Sequence, residues 1–125
     1  MTATLNSTGV LFNDSTQQNT AWIGPRAQVF IASGTFTVPT GVTAVMVRVF
    51  GGGGGGSGSV TSCPPTSGAM GGVGGFVQAL ISGLTPGQNI SVTVGAGGNG
   101  GAWSGSASSG SAGGTSSFGT YATAT

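Results

Sequence analysis

Catalysis and metal binding need acids, bases, activated nucleophiles or ligand clusters, and this sequence is poor in all of them. Its charged side chains are Asp14, Arg26 and Arg48, and it has no His, Lys or Glu. Ser and Thr hydroxyls are plentiful, but a hydroxyl nucleophile needs a neighbouring base, and Asp14 is the single carboxylate side chain. No residue is therefore assigned a catalytic role, and the chain is expected not to be an enzyme. One Cys and one Asp without any His cannot complete a closed metal ligand set, so no metal site is expected. Cys63 has no second cysteine to pair with and sits in the loop-like "TSCPPTSG", which reads as a free, inert thiol.

The glycines invite a cofactor reading, and it fails on chemistry. A phosphate loop follows its glycines with Lys and Ser/Thr, and this chain has no Lys. A dinucleotide fingerprint needs a helix opening after the glycines and an acidic residue downstream, and neither is present. No cofactor is expected. Two basic side chains cannot neutralise the phosphates of a nucleic acid or an anionic membrane surface, so neither is an expected partner. No stretch has the roughly 18 apolar residues of a membrane span. The start, "MTATLNSTGVLF", lacks the basic and apolar regions of a signal peptide, so synthesis in a cytoplasm is expected.

What remains are elements that alternate. At 125 residues the chain is one domain, or a small domain with an extension. We divide it into an extended N-terminal attachment and oligomerisation segment, 1–31, and a glycine-rich β domain, 32–125. In "GVLFNDSTQQNTAW" the residues Phe12, Asp14, Thr16, Gln18 and Thr20 share one face of an extended chain. Only Phe12 on that face is apolar, so the segment is expected to pair with other copies or a neighbouring subunit rather than order itself. In "SGTFTVPTGVTAVMVRVF" Phe36 and Val38 alternate with Thr35 and Thr37, Pro39 ends the strand, and Val45, Val47 and Val49 then oppose Met46, Arg48 and Phe50. Arg48 is thereby directed to solvent or a subunit contact. "FVQALISGL" sets Val77, Ala79 and Ile81 against Phe76, Gln78 and Leu80. "TPGQ" turns the chain into "NISVTVG", which reads as a hairpin, and "GTSSFGTYATAT" reads as a last strand built on Phe118 and Tyr121. No apolar pattern has the helical period. The expected fold is all-β, a small antiparallel sandwich centred on residues 35–50 and 76–94.

Two long glycine-rich insertions, 51–75 and 95–114, separate these strands. Insertions of that length are usually functional or disordered. Glycine contributes no side chain to a core, while ordering a residue costs about 1–2 kcal/mol. The tracts must then recover that cost through backbone hydrogen bonds between neighbouring segments, or stay mobile. Extended helices with three residues per turn pack closely when every third residue is small. Gly68, Gly71 and Gly74 have that spacing, as do Gly95, Gly98 and Gly101, whose register continues through Ser104, Ala107, Gly110 and Gly113. Polyglycine II segments and mobile loops are both open. If the strands ending at Phe50 and Val94 run the same way, both tracts leave one end of the sandwich. Gly53, Gly54, Gly98, Gly101 and Trp103 would then form a contact surface, with Trp103 either packing or stacking on a sugar ring.

"GVLFNDSTQQNTA" resembles a short repeat near the start of bacteriophage tail-fibre proteins, through Gly9, Phe12, Asp14, Thr16, Gln18, Thr20 and Ala21. Ser15 stands where that pattern usually has Gly. "GTFTVPTGVTAVMVRVFGGGGGG", "GGVGGFVQALISGLTPGQNISVTVGAGG" and "GGTSSFG" resemble the glycine-rich domain of phage tail fibres and related virion proteins. Such domains usually continue beyond this point into a further glycine-rich stretch. The resemblance implies a virion protein, trimeric or otherwise homo-oligomeric, attached through Phe12, Asp14, Thr16 and Gln18 and presenting its glycine loops outward. The implied partners are other virion proteins and a host surface glycan or outer-membrane protein. The alternatives are a non-adhesive virion part, such as a baseplate or capsid decoration protein, and an ice-binding or matrix glycine-rich protein. The last would explain neither the alternating strands nor the fibre-like start.

Overall fold

A computed structural model describes residues 4–6, 9–11, 17–18, 27–59, 67–103, 106 and 108–125. Near the N-terminus, β1 (Thr4–Asn6), β2 (Gly9–Leu11) and β3 (Gln17–Gln18) pair antiparallel in that order, with Leu5 opposite Val10 and Val10 opposite Gln18. The described residues contain no helix.

The main domain is a small sandwich of two antiparallel sheets. One sheet is built from β4 (Gly34–Thr37), β7 (Asn89–Thr93), β8 (Ser116–Phe118) and β9 (Ala122–Ala124), hydrogen-bonded in the order β4-β7-β8-β9. The other is a two-stranded ribbon of β5 (Ala44–Phe50) and β6 (Phe76–Ser82). The ribbon register runs from Ala44 opposite Ser82 to Phe50 opposite Phe76. Alternation places Val45, Val47, Val49, Val77, Ala79 and Ile81 inward, as the period of two requires, and leaves Met46, Arg48, Phe50, Phe76, Gln78 and Leu80 exposed. The ribbon packs on β8 and β9. Val38, Val49, Ile81, Leu84, Ile90, Val92, Phe118, Ala122 and Ala124 make the buried core.

Two expectations about connections are corrected. β6 and β7 do not form a hairpin: β6 pairs with β5, and β7 pairs with β4 and β8. The "TPGQ" turn instead carries the chain from one sheet to the other. Gln88 N–H closes the turn on the Thr85 carbonyl at 3.0 Å, with Gly87 at φ 84°. Pro at the second position and a left-handed Gly at the third are the type II requirements. The crossing is pinned on both sides. Leu84 N–H donates to the Thr43 carbonyl, Gly87 N–H to the Val38 carbonyl, and Val38 N–H to the Gln88 carbonyl. The C-terminal stretch is likewise two strands rather than one. β8 and β9 are joined by a turn at Gly119, and Tyr121 N–H donates to the Phe118 carbonyl at 3.0 Å.

Candidate contact surface at the glycine end of the sandwich

The glycine tracts are built from the strands that feed them. Residues 51–58 continue β5, residues 68–75 lead into β6, residues 95–102 follow β7, and residues 108–114 precede β8. Their mutual hydrogen bonds advance in steps of three. Gly51, Gly54 and Ser57 donate to the carbonyls of Gly75, Gly72 and Ala69. Gly52, Gly55 and Gly58 donate to Gly114, Ser111 and Ser108. Gly98 and Gly101 donate to Gly53 and Gly56. Ser111 and Gly114 donate to Asn99 and Ala96. A triplet step is that of an extended helix with three residues per turn. Segment 51–58 is the hub, and each of its three faces bonds a different neighbour. Numbers that rise together show that 95–102 runs parallel to it. Numbers that move oppositely show that 68–75 and 108–114 run antiparallel.

Steric fit selects glycine wherever a segment turns a Cα toward a neighbouring backbone. A Cβ added at Gly52 or Gly55 would overlap the backbone carbonyl of Ala96 or Asn99. The same holds at Gly71 and Gly74 against Gly54 and Gly51, at Gly95, Gly98 and Gly101 against Gly114, Ser111 and Ser108, and at Gly110 and Gly113 against Gly55 and Gly52. Each of these glycines turns a Cα–H toward a carbonyl oxygen, a weak but recurring contact. None of them has positive φ, so close approach and not backbone handedness excludes a side chain here. Outward positions of segment 68–75 tolerate bulk: Met70 and Val73 are 96% and 99% exposed. The bundle is tied to the sandwich by Ser116, a buried polar side chain whose hydroxyl accepts from Gly95 N–H at 2.9 Å, and by Gly75 N–H donating to the Thr125 carbonyl.

The expected contact residues separate into two kinds. Gly53 and Gly54 have room: an added Cβ would lie 3.5 Å from Gly72 backbone atoms in each case. Gly98 and Gly101 face inward onto segment 108–114 and are packing positions. Trp103 follows the end of segment 95–102, 68% exposed, beyond the last bundle contacts. Phe12, Asp14 and Thr16 lie outside the described residues, as does Cys63, and of Gln18 only the strand pairing is described. Two features escaped the sequence reading. One is the set Gly52, Gly55 and Gly58, because six consecutive glycines carry no visible register. The other is the outward apolar series on β5, β6 and residues 70–73.

A cleft of about 1400 Å³ opens beside β5, where the two-stranded ribbon leaves part of the four-stranded sheet uncovered. Phe30, Phe36, Val45, Val47, Val92 and Phe118 are among its lining residues, and Arg48 is the one charged side chain there among the described residues. Among the described residues no three His, Cys, Asp or Glu come together. Among the described residues no helix is long and apolar enough to cross a membrane.

A family model for a glycine-rich domain matches residues 31–125. No curated protein and no solved structure matches the chain.

Proposed function

The chain belongs to the glycine-rich domain family, and from that premise we propose that it is a structural and adhesive part of a bacteriophage virion. In this reading it is a tail-fibre or tail-tip component that contributes to attachment to the host. The N-terminal segment, with its fibre-like pattern at Gly9, Phe12, Asp14, Thr16 and Gln18, joins copies of the chain, in a trimer, and joins them to other virion proteins. The glycine bundle stands at the opposite role: it holds a tip at a fixed distance from the sandwich.

The observation that carries this reading is the common exit of the four glycine segments. They leave one end of the sandwich and hold one another through a triplet hydrogen-bond lattice. In such a bundle the segments are fixed to one another by backbone bonds rather than by side-chain packing. It also leaves its outer faces free to carry recognition groups, and in this reading the 68% exposed Trp103 is one of them. The described surface toward the tip offers Ser, Asn, Gly and an indole ring. These groups suit a sugar or a protein backbone, which are recognised by hydrogen bonds and stacking.

The test is to localise the chain in particles with an antibody against its sandwich and to measure adsorption of particles carrying Trp103→Ala. Labelling at the tail tip with weakened adsorption supports the reading. Labelling across the head would instead favour a decoration protein. A tail location with unchanged adsorption would favour a non-adhesive structural part.

A further inference from the structure

The outer face of the β5–β6 ribbon is apolar where a solvent-facing ribbon is ordinarily polar. Its rungs are Met46 opposite Leu80, Arg48 opposite Gln78, and Phe50 opposite Phe76. Exposures are 59% for Met46, 66% for Leu80, 65% for Phe50 and 54% for Phe76. The two rings touch, with centroids 4.8 Å apart. The series does not end with the strand. Val73 and Met70 precede Phe76 at the three-residue period of their segment and are almost fully exposed. The ridge is thus continuous across the junction of sheet and glycine bundle. It extends about 32 Å at the rises of a strand and of a three-fold helix.

We propose that this ridge is a self-association surface, on which a second copy of the chain packs about a two-fold axis through the Phe50–Phe76 rung. The area supports a stable contact. Six side chains of this size, exposed by half or more, present on the order of 800 Å², the share of one partner in a standard interface. Patches on monomeric proteins seldom exceed about 300–600 Å².

Charge selects the symmetry. Arg48 is the one charged side chain in the ridge, and it donates from Nε to the Gln78 Oε1 at 2.9 Å. Copies set parallel around an axis along the ridge would bring every Arg48 to one level. A two-fold axis at the Phe50–Phe76 rung sends the two guanidinium groups to opposite sides, about 13 Å apart along the ridge. That exceeds the screening length of about 8 Å at physiological salt. The same axis sets Arg48 of one copy near the partner's Val73. Isologous contacts of this kind close on themselves. This contact is separate from any made by the N-terminal segment, and it does not depend on the virion reading.

The position opposite Arg48 provides the test. Val73 is fully exposed, so its replacement leaves the monomer fold untouched. Sedimentation equilibrium of the full chain is compared for the native sequence, Val73→Lys and Val73→Asp, with circular dichroism confirming the same fold. Any contribution from the N-terminal segment is common to all three. The two-fold arrangement predicts that Val73→Lys, facing the partner's Arg48, weakens association about tenfold or more. It predicts that Val73→Asp, which gains a pairing there, retains native association. Equal loss in both variants would overturn the two-fold axis, because Val73 would then face its own kind. Association unchanged by either substitution, or a native chain that does not associate beyond the N-terminal contact, would overturn the surface itself.

Discussion

Two alanine substitutions separate a packed glycine bundle from glycine used merely as a flexible filler. In Gly55→Ala the new methyl falls on the Asn99 carbonyl, with the Gly100 nitrogen at 2.8 Å, so both obstacles are backbone and neither can rotate away. Segments 51–58 and 95–102 must separate. Overpacking of this sort costs about 1–3 kcal/mol. The Gly55 N–H bond to the Ser111 carbonyl, 2.9 Å long, is strained at the same time and accounts for a further ~0.5–1.5 kcal/mol. Lower chain entropy in the unfolded state offsets about 0.4–1 kcal/mol. The net loss is about 2–3 kcal/mol, which for a domain of this size lowers the melting temperature by roughly 10–20 °C. In Gly72→Ala the methyl meets nothing within 4 Å, and the backbone is not left-handed. Its carbonyl still accepts from Gly54 N–H. Only the entropic term is left, so this variant should match the native protein or exceed it by up to ~1 kcal/mol. Thermal unfolding followed by circular dichroism measures both. If the two variants agree within ~0.5 kcal/mol, the glycines are not selected by close approach and the bundle as described is wrong.

Three further substitutions address how the sandwich is held. Gly87→Ala forces a side chain into a left-handed turn position, φ 84°, and should cost about 1–2 kcal/mol, seen as a lower urea midpoint with an unchanged slope. Ser116→Ala removes the buried acceptor of Gly95 N–H and should cost about 1–3 kcal/mol; near-native stability would show that the bundle does not rely on this link. Val38→Ala empties a side chain that is 1% exposed, between the crossing turn and the core, and should lower stability by about 2 kcal/mol in the same denaturation assay.

The strands were legible because one face of each is buried. Val45, Val47 and Val49, or Ile90 and Val92, declare their period in the sequence, and the structure buries those residues or packs them on the core. Pairing was less legible. Two alternating strands joined by "TPGQ" satisfy hairpin chemistry equally well whether the second strand pairs with the first or crosses to the opposite sheet. The choice is made by long-range bonds such as Leu84 N–H to the Thr43 carbonyl. The condition for both glycine tracts to leave one end is met, since 95–102 runs parallel to 51–58, although β6 and β7 do not pair. The triplets Gly68, Gly71, Gly74 and Gly95, Gly98, Gly101 were visible because larger residues interrupt the other two registers. In the hexaglycine run all three registers look alike, and only the neighbours distinguish Gly52 and Gly55 from Gly53. The outward ridge was hidden for a different reason: an alternating pattern shows two apolar faces in β5 and β6 without saying which one is covered.

The glycine tracts form an ordered lattice with a period of three, and amide hydrogen exchange read residue by residue is its decisive test. In the hub, Gly51, Gly52, Gly54, Gly55, Ser57 and Gly58 donate hydrogen bonds, whereas the amides of Gly53 and Gly56 have no partner among the described residues. The lattice predicts slow exchange at the first six and fast exchange at Gly53 and Gly56. It also predicts slow exchange at Gly98 and Gly101 but not at their intervening neighbour Gly100. Uniformly fast exchange across residues 51–58 and 95–102, beside a protected β5 and β6, would contradict it.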